Sequence, residues 1–212
     1  MKTLELFCGT KSFSKYAKQL GHSTYTIDND STFMPDITRD ISGISEHDLK
    51  FLIDTSDVIW MSPPCQTFSM ASGNTHWTAD RQPKTEQAIK GLQLLNLCKW
   101  IGDYCIAQNK IFFIENPRAR ARWFLPKKWR KTAWYCQYGD NRAKPTDIWT
   151  NLNEWNPKIC KNGNPNCNHI RAPRGSKTGT QGLKTAKERG VIPEGLFKEI
   201  FNVIKSKSFY TY

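Results

Sequence analysis

Apolar and polar positions over the first 115 residues switch repeatedly between strand-like and helix-like spacing. Leu4-Glu5-Leu6-Phe7 is a short apolar stretch that stops at Cys8-Gly9-Thr10. Phe13, Tyr16, Ala17 and Leu20 follow at helical spacing as far as Gly21, which predicts an amphipathic helix. Ser23-Thr24-Tyr25-Thr26-Ile27 is β-rich and ends at Asp28. Asp57 to Met61 predicts a third strand, broken by Pro63-Pro64, because proline cannot donate to a ladder. Residues 84–108 predict a long helix with Ile89, Leu92, Leu95 and Cys98 on its buried side. A fourth apolar strand, Ile111 to Ile114, runs into Glu115-Asn116-Pro117. This alternation predicts an α/β fold, a doubly wound and mostly parallel Rossmann-like sheet with helices on both faces. Ligands of such sheets bind beyond the carboxyl ends of the strands, where Gly9, Asp28, Cys65 and Glu115 all fall.

The pattern changes after Pro117. Arg118, Arg120, Arg122, Lys127, Lys128, Arg130 and Lys131 are interleaved with Trp123, Phe124 and Trp129. From about residue 151 the chain is rich in Asn, Gly, Pro and Lys, which predicts loops and a small irregular lobe. A last amphipathic helix is expected from Glu194 to Lys205 behind Pro193, burying Leu196, Phe197, Ile200 and Ile204. The expected organisation is a main domain over 1–150, a small lobe over 151–190, and a C-terminal helix over 191–212 that packs back on the main domain.

Charge adds a partner. The 212 residues carry a net charge of +12, but residues 1–60 hold six basic and nine acidic side chains, so the excess lies beyond them. A basic majority behind a slightly acidic start suggests a polyanion, most often nucleic acid. Apolar runs such as Val58-Ile59-Trp60-Met61 are too short to span a bilayer, and no secretory pattern follows Met1, so a cytoplasmic protein without membrane contact is expected. Seven cysteines without an export signal favour thiols used for chemistry or metal over a disulfide framework.

Three places could carry chemistry. Phe7-Cys8-Gly9-Thr10 joins a strand to a helix, so its backbone can approach a ligand, and Asp28 lies where doubly wound folds place a carboxylate on a ribose diol. In Ser62-Pro63-Pro64-Cys65-Gln66, two prolines fix the backbone before a cysteine, as a held and exposed nucleophile requires. Glu115 is a candidate acid at the same sheet edge, with burial able to raise its pKa. Cys160, Cys167 and His169 form a Cys-x6-Cys-x-His arrangement in a lobe with little apolar material. Cys136 is a possible fourth ligand for a structural zinc, although stray loop cysteines would look the same.

Together these pieces resemble the cytosine-5 DNA methyltransferase family in its compact, phage-like form. The matching segments, in the family's order, are Leu6-Phe7-Cys8-Gly9, Asp28, Asp40-Ile41, Ser62-Pro63-Pro64-Cys65-Gln66, Glu115-Asn116-Pro117 and Tyr138-Gly139-Asp140-Asn141-Arg142-Ala143-Lys144, followed by Ile192-Pro193. The resemblance implies methyl transfer from S-adenosylmethionine to C5 of a cytosine flipped out of duplex DNA. Cys65 would add to C6, Glu115 would share a proton with N3, and Arg142 and Lys144 would hold the base carbonyl and nearby phosphate. It maps the cofactor onto Phe7, Gly9, Thr10, Asp28, Asp40, Ile41 and Pro64. For DNA, it and the basic segments point to Gln66, Arg118, Arg120, Arg171, Arg174 and Lys177.

The chain departs from the family at Lys11, where a further glycine is usual, and at Pro117, where valine is more common. A lobe of about 40 residues can reach few base edges, so a short or relaxed sequence preference is expected. Three other readings remain open at this point: the same chemistry on transfer RNA, a non-catalytic DNA-binding protein, and transfer of another one-carbon or sulfonium-borne group in place of methyl, for which Lys11 is the only hint. Protection of phage DNA, or a place beside a restriction enzyme, is what the resemblance implies for biology.

Overall fold

The computed structural model describes residues 1–170 and 185–208. A seven-stranded sheet runs in the order β3-β2-β1-β4-β5-β7-β6. Its strands are β1 (Lys2–Leu6), β2 (Ser23–Asp28), β3 (Ile37–Thr38), β4 (Val58–Met61), β5 (Ile111–Pro117), β6 (Arg130–Trp134) and β7 (Pro145–Thr150). The first five are parallel, and β7 and β6 close the edge antiparallel. The doubly wound α/β expectation therefore holds.

Central parallel strands are buried on both faces, which is why β4 reads as an unbroken apolar run. Its alternate residues feed two cores. Ile59 and Met61 face α2 (Glu46–Asp54) and α3 (Glu86–Ala107), together with Leu95, Cys98 and Phe112. Val58 and Trp60 face α1 (Ser12–Gln19) and α5 (Glu194–Ser208, which follows the short α4, Ala186–Gly190), where Trp60 and Phe201 each stack on Phe13.

Two sequence expectations shift. The buried side of α3 consists of Ala88, Gly91, Leu94, Leu95, Cys98, Ile101, Gly102 and Cys105, whereas Ile89 is 46% exposed and Leu92 only half-buried. Small residues win this face because the helix lies close: a Cβ on Gly102 would come within 3.0 Å of Phe112. The stretch after Pro117 also contains two strands that periodicity did not reveal. β6 opens with two cations at the sheet edge, and β7 carries Asp147 fully buried, with its carboxylate held by Arg122 and Thr132. Such a pair disguises a core strand as a polar one.

The C-terminal helix buries Leu196, Phe197, Ile200, Phe201 and Ile204 in the same core as Phe13 and Trp60. Its first turn touches the turn Tyr135–Tyr138, where a Cβ on Gly195 would sit 2.6 Å from the Tyr138 carbonyl oxygen. Among the described residues no helix is long and apolar enough to cross a membrane.

Candidate active site

The thiol and the carboxylate come from neighbouring strands. Met61, the last residue of β4, pairs with Leu6 on one side and Ile114 on the other. The loop after it is tied to both neighbours: the Ser62 amide donates to the Leu6 carbonyl at 3.2 Å, and the buried Asn116 Nδ2 donates to the Pro63 carbonyl at 3.2 Å. The Cys65 carbonyl then accepts the amides of Phe68 and Ser69 at 3.1 and 3.0 Å, so the chain turns sharply behind the cysteine. Cys65 is half-buried with a free thiol. Burial raises its pKa, the Glu115 charge raises it further, and the cations of Lys144 and Arg189 oppose both.

Glu115 lies within β5 rather than beyond it, opposite Ile148 of β7. It is 8% exposed, and burial raises its pKa against the opposing pull of Lys144 and of the Tyr135 hydroxyl, which donates to Oε1 at 3.0 Å. A carboxyl in that state holds its proton more tightly than a solvated one and can share it with a ring nitrogen. Lys144 Nζ donates to the Arg189 carbonyl at 3.1 Å and lies 4.8 Å from the Tyr135 ring centroid. Tyr135 and Arg189 both face the pair, yet neither carries a motif signal; only the fold brings them there.

Arg142 departs from the expected role. It is 7% exposed, and its guanidinium is engaged by the Asp140 carboxylate and by the carbonyls of Arg189 and Val191. With its donors committed to holding residues 189–191, it is a scaffold for the segment beside Cys65, and Lys144 is the cation whose charge acts on both Cys65 and Glu115. Arg120 departs as well. It is buried, donating to the Ser69 carbonyl at 2.7 Å and to that of Gly73, so it fixes the loop behind Cys65 instead of offering its charge to a phosphate. Arg118 is exposed, its guanidinium 5.4 Å from the Trp134 ring centroid, and Gln66 is exposed beside Cys65. Arg171, Arg174 and Lys177 lie outside the described residues.

A cleft of about 300 Å³ opens next to this pair, lined by Phe7, Asn29, Asp40, Ile41, Pro64 and Gln66 and by the first turns of α3. Its floor is the turn after β1, which needs unusual backbone: Phe7, Gly9 and Lys11 all have positive φ, at 56°, 44° and 56°. Lys11 thus adopts the left-handed conformation that a glycine would take without cost. Its ammonium bonds to the Met34 carbonyl. Asp28 holds the turn closed by accepting the amides of Gly9 and Asp30 at 2.8 and 2.9 Å, and its neighbour Asn29 lines the cleft. Thr10 Oγ1 lies 3.0 Å from Ser12 Oγ. At the other end, Asp40 is held down to a pKa of about 2 by hydrogen bonds from Lys90 and Ser42. Cys136, Cys160, Cys167 and His169 also come together, their ligand atoms within 4.8 Å of one another.

No protein-family profile matches the chain. It is 29% identical to the protein named "Probable DNA (cytosine-5)-methyltransferase" of Frog virus 3 (isolate Goorha), across 96% of this chain and all of the viral one. Among solved structures, a protein described as a DNA modification methyltransferase encoded within an E. coli prophage superposes with a TM-score of 0.48 at 14% identity, over 76% of this chain and 52% of that one. Spodoptera frugiperda DNMT2, as an E260A/E261A/K263A mutant, gives 0.42 at 18% identity, over 76% and 55%. The chain thus spans about half the length of these solved proteins. The chain's motifs resemble those of the cytosine-5 DNA methyltransferases, and along nearly its whole length the chain is similar to the viral protein that carries that name.

Proposed function

We propose that the protein transfers a methyl group from S-adenosylmethionine to C5 of cytosine in DNA. The observation that carries this reading is the pairing of Cys65 with a buried Glu115 under the charge of Lys144, with Pro64 and Gln66 on either side of Cys65 lining the adjacent cleft. Cleft and cofactor are compatible: Phe7, Ile41, Pro64 and Leu94 offer apolar walls for a base and sulfonium, while Asn29, Asp40 and the Phe7–Thr10 turn offer polar groups for ribose, adenine edge and amino acid. The remaining lone pairs of Asp28 can take a ribose hydroxyl beside the amides it already holds. When bound, S-adenosylmethionine supplies an electrophilic methyl group.

The residues divide the rest of the work. Cys65 gives its thiol proton to solvent water, and the thiolate sulfur bonds to C6 of the ring. Glu115 gives its proton to N3 as that bond forms, so the electron pair pushed out of the C5–C6 double bond gains nucleophilic character at C5 without building charge on the ring. After methylation the C5 proton passes to water, which restores the C5–C6 double bond and expels the Cys65 thiolate, and N3 returns its proton to Glu115. Lys144 favours both anions that the cycle passes through, the thiolate and the Glu115 carboxylate. The base must leave its duplex to reach a half-buried thiol, and the exposure of Gln66 and Arg118 supports their contact with the strand it leaves.

Nucleoside mass spectrometry of DNA from cells expressing the protein, beside a Cys65→Ala control, tests this. 5-Methylcytosine that depends on Cys65 is the expected result. The same modification confined to transfer RNA would move the substrate, and unmodified nucleic acid in both samples with binding retained would replace the enzyme by a binding protein. Sequencing of the methylated sites then reads the preference, which the small lobe is expected to keep short.

A further inference from the structure

Residues 156–170 cross the surface without a core of their own. No side chain in this stretch is buried, and Ile159 and Ile170 are 74% and 52% exposed. The path is nevertheless tied to the main domain at both ends. The Lys158 carbonyl accepts from the Trp134 amide at 3.2 Å, the Lys158 amide donates to the Tyr138 hydroxyl at 2.6 Å, and the Ile170 amide donates to the Asn141 carbonyl at 2.7 Å. Between those ties, a segment that buries little apolar surface has little to offset the entropy of its ordering.

We propose that Cys136, Cys160, Cys167 and His169 bind one zinc ion, which staples this segment to the methyltransferase-like domain. Cys136 belongs to the turn Tyr135–Tyr138 and the other three to the segment, so the ion would cross-link the two. All four ligand atoms lie within 4.8 Å of one another, and Cys160 Sγ is 3.9 Å from His169 Nδ1. A tetrahedral zinc with metal–sulfur bonds of about 2.3 Å sets sulfurs about 3.8 Å apart, so loading needs only a small contraction. Three thiols and an imidazole are soft and borderline donors, which suit zinc and not magnesium or calcium.

The surroundings point the same way. Gln137 Nε2 donates to Cys167 Sγ and Asn164 Nδ2 donates to Cys160 Sγ, each at 3.4 Å, as the second shell of a thiolate site does. One contact has to change. A metal on Nδ1 leaves the ring proton on Nε2, where the Gly163 amide now donates at 3.1 Å. Gly163 has φ 73°, and a glycine can turn that amide away at small cost. The ion would then hold the turn carrying Tyr135 from one side and the Ile170–Asn141 tie next to Arg142 from the other, just before the basic stretch 171–177 in sequence.

This proposal is independent of methyl transfer, and its test does not use activity. The full chain, purified under reducing conditions without chelator, is expected to carry one zinc per chain by plasma mass spectrometry. Cys160→Ser and Cys167→Ser should each lose it, while Cys65→Ser keeps it. Cobalt exchanged into the wild-type protein should show thiolate charge-transfer bands and the intense visible bands of tetrahedral coordination, with the latter altered in His169→Ala. A folded, reduced protein that holds no zinc and gives no thiolate band with cobalt overturns the proposal. So does zinc that persists in both cysteine variants, or a disulfide joining two of these cysteines in freshly isolated protein.

Discussion

The Tyr135 hydroxyl donates to Glu115 Oε1 at 3.0 Å, joining the turn after β6 to the middle of β5 across the strand between them. That bond favours the charged carboxylate, while burial disfavours it more strongly. Tyr135→Phe removes one of the two opposing influences and leaves that of Lys144, so the Glu115 pKa rises further. The limb of the pH–rate profile that reports loss of the Glu115 proton is expected to move to higher pH, with turnover at neutral pH changed far less than in Glu115→Gln, which should lose about 10²–10⁴-fold. An unmoved limb in Tyr135→Phe would assign that proton to another group.

Lys144 is the cation that lowers the pKa of both Cys65 and Glu115. In Lys144→Ala both values should rise, so the thiolate becomes scarcer at neutral pH. Alkylation of Cys65 by iodoacetamide, followed by peptide mass spectrometry across a pH series, reads this without any turnover. The alkylation midpoint is expected to shift to higher pH in Lys144→Ala and to stay near wild type in Lys144→Arg. Equal midpoints in all three proteins would remove Lys144 from the site.

The parallel half of the sheet was legible because its physics is local. Buried central strands read as apolar runs, and each stops at a residue that marks a turn, such as Gly9 or Pro63. Cys65 and Glu115 could be paired from sequence because strand ends in a doubly wound sheet converge. The antiparallel edge was not legible, since β7 hides a buried Asp147 whose partner Arg122 is 25 residues away. The roles of Arg120 and Arg142 were hidden for the same reason: an arginine that bonds backbone carbonyls 47 to 51 residues distant looks, in sequence, like a surface cation. Tyr135 was equally silent, since a tyrosine before a loop carries no periodic or motif signal.

Arg120 separates the two uses of a basic residue. Its guanidinium donates to the carbonyls of Ser69 and Gly73, on the loop behind Cys65, from a buried position. Arg120→Lys cannot span both carbonyls, and charged hydrogen bonds of this kind are worth about 1.5–3 kcal/mol each. The variant is expected to unfold earlier in urea while its DNA affinity falls with salt at the same slope as wild type. A slope reduced by about one would instead indicate a lost phosphate contact.

Gly195 sets how closely α5 can approach. A Cβ there would meet the Tyr138 carbonyl oxygen at 2.6 Å, and backbone cannot swing aside as a flexible side chain can. Gly195→Ala is therefore expected to destabilise the protein by about 1–3 kcal/mol despite the better helix propensity of alanine. Chemical denaturation reads the loss. An unchanged or higher stability would mean that the first turn of α5 has room to move away from the Tyr135–Tyr138 turn.

Glu5 is buried in β1, and its Oε2 accepts the Ser14 amide at 2.9 Å in the first turn of α1. Desolvation dominates, pushing its pKa up to about 7. The sign of the linkage follows. Below about pH 4.3 the group is protonated whether the chain is folded or not. As pH rises, the unfolded chain ionises first, so stability falls until the folded group ionises near pH 7, a total loss of about 3 kcal/mol. Glu5→Gln keeps an oxygen for the Ser14 amide and has nothing to ionise. Compared with wild type by urea denaturation, it should be nearly equal at pH 4 and more stable by about 2–3 kcal/mol at pH 8, since the other titrating groups cancel between the two proteins. A difference that stays flat from pH 4 to 8 would show that Glu5 ionises in the folded protein as readily as in water.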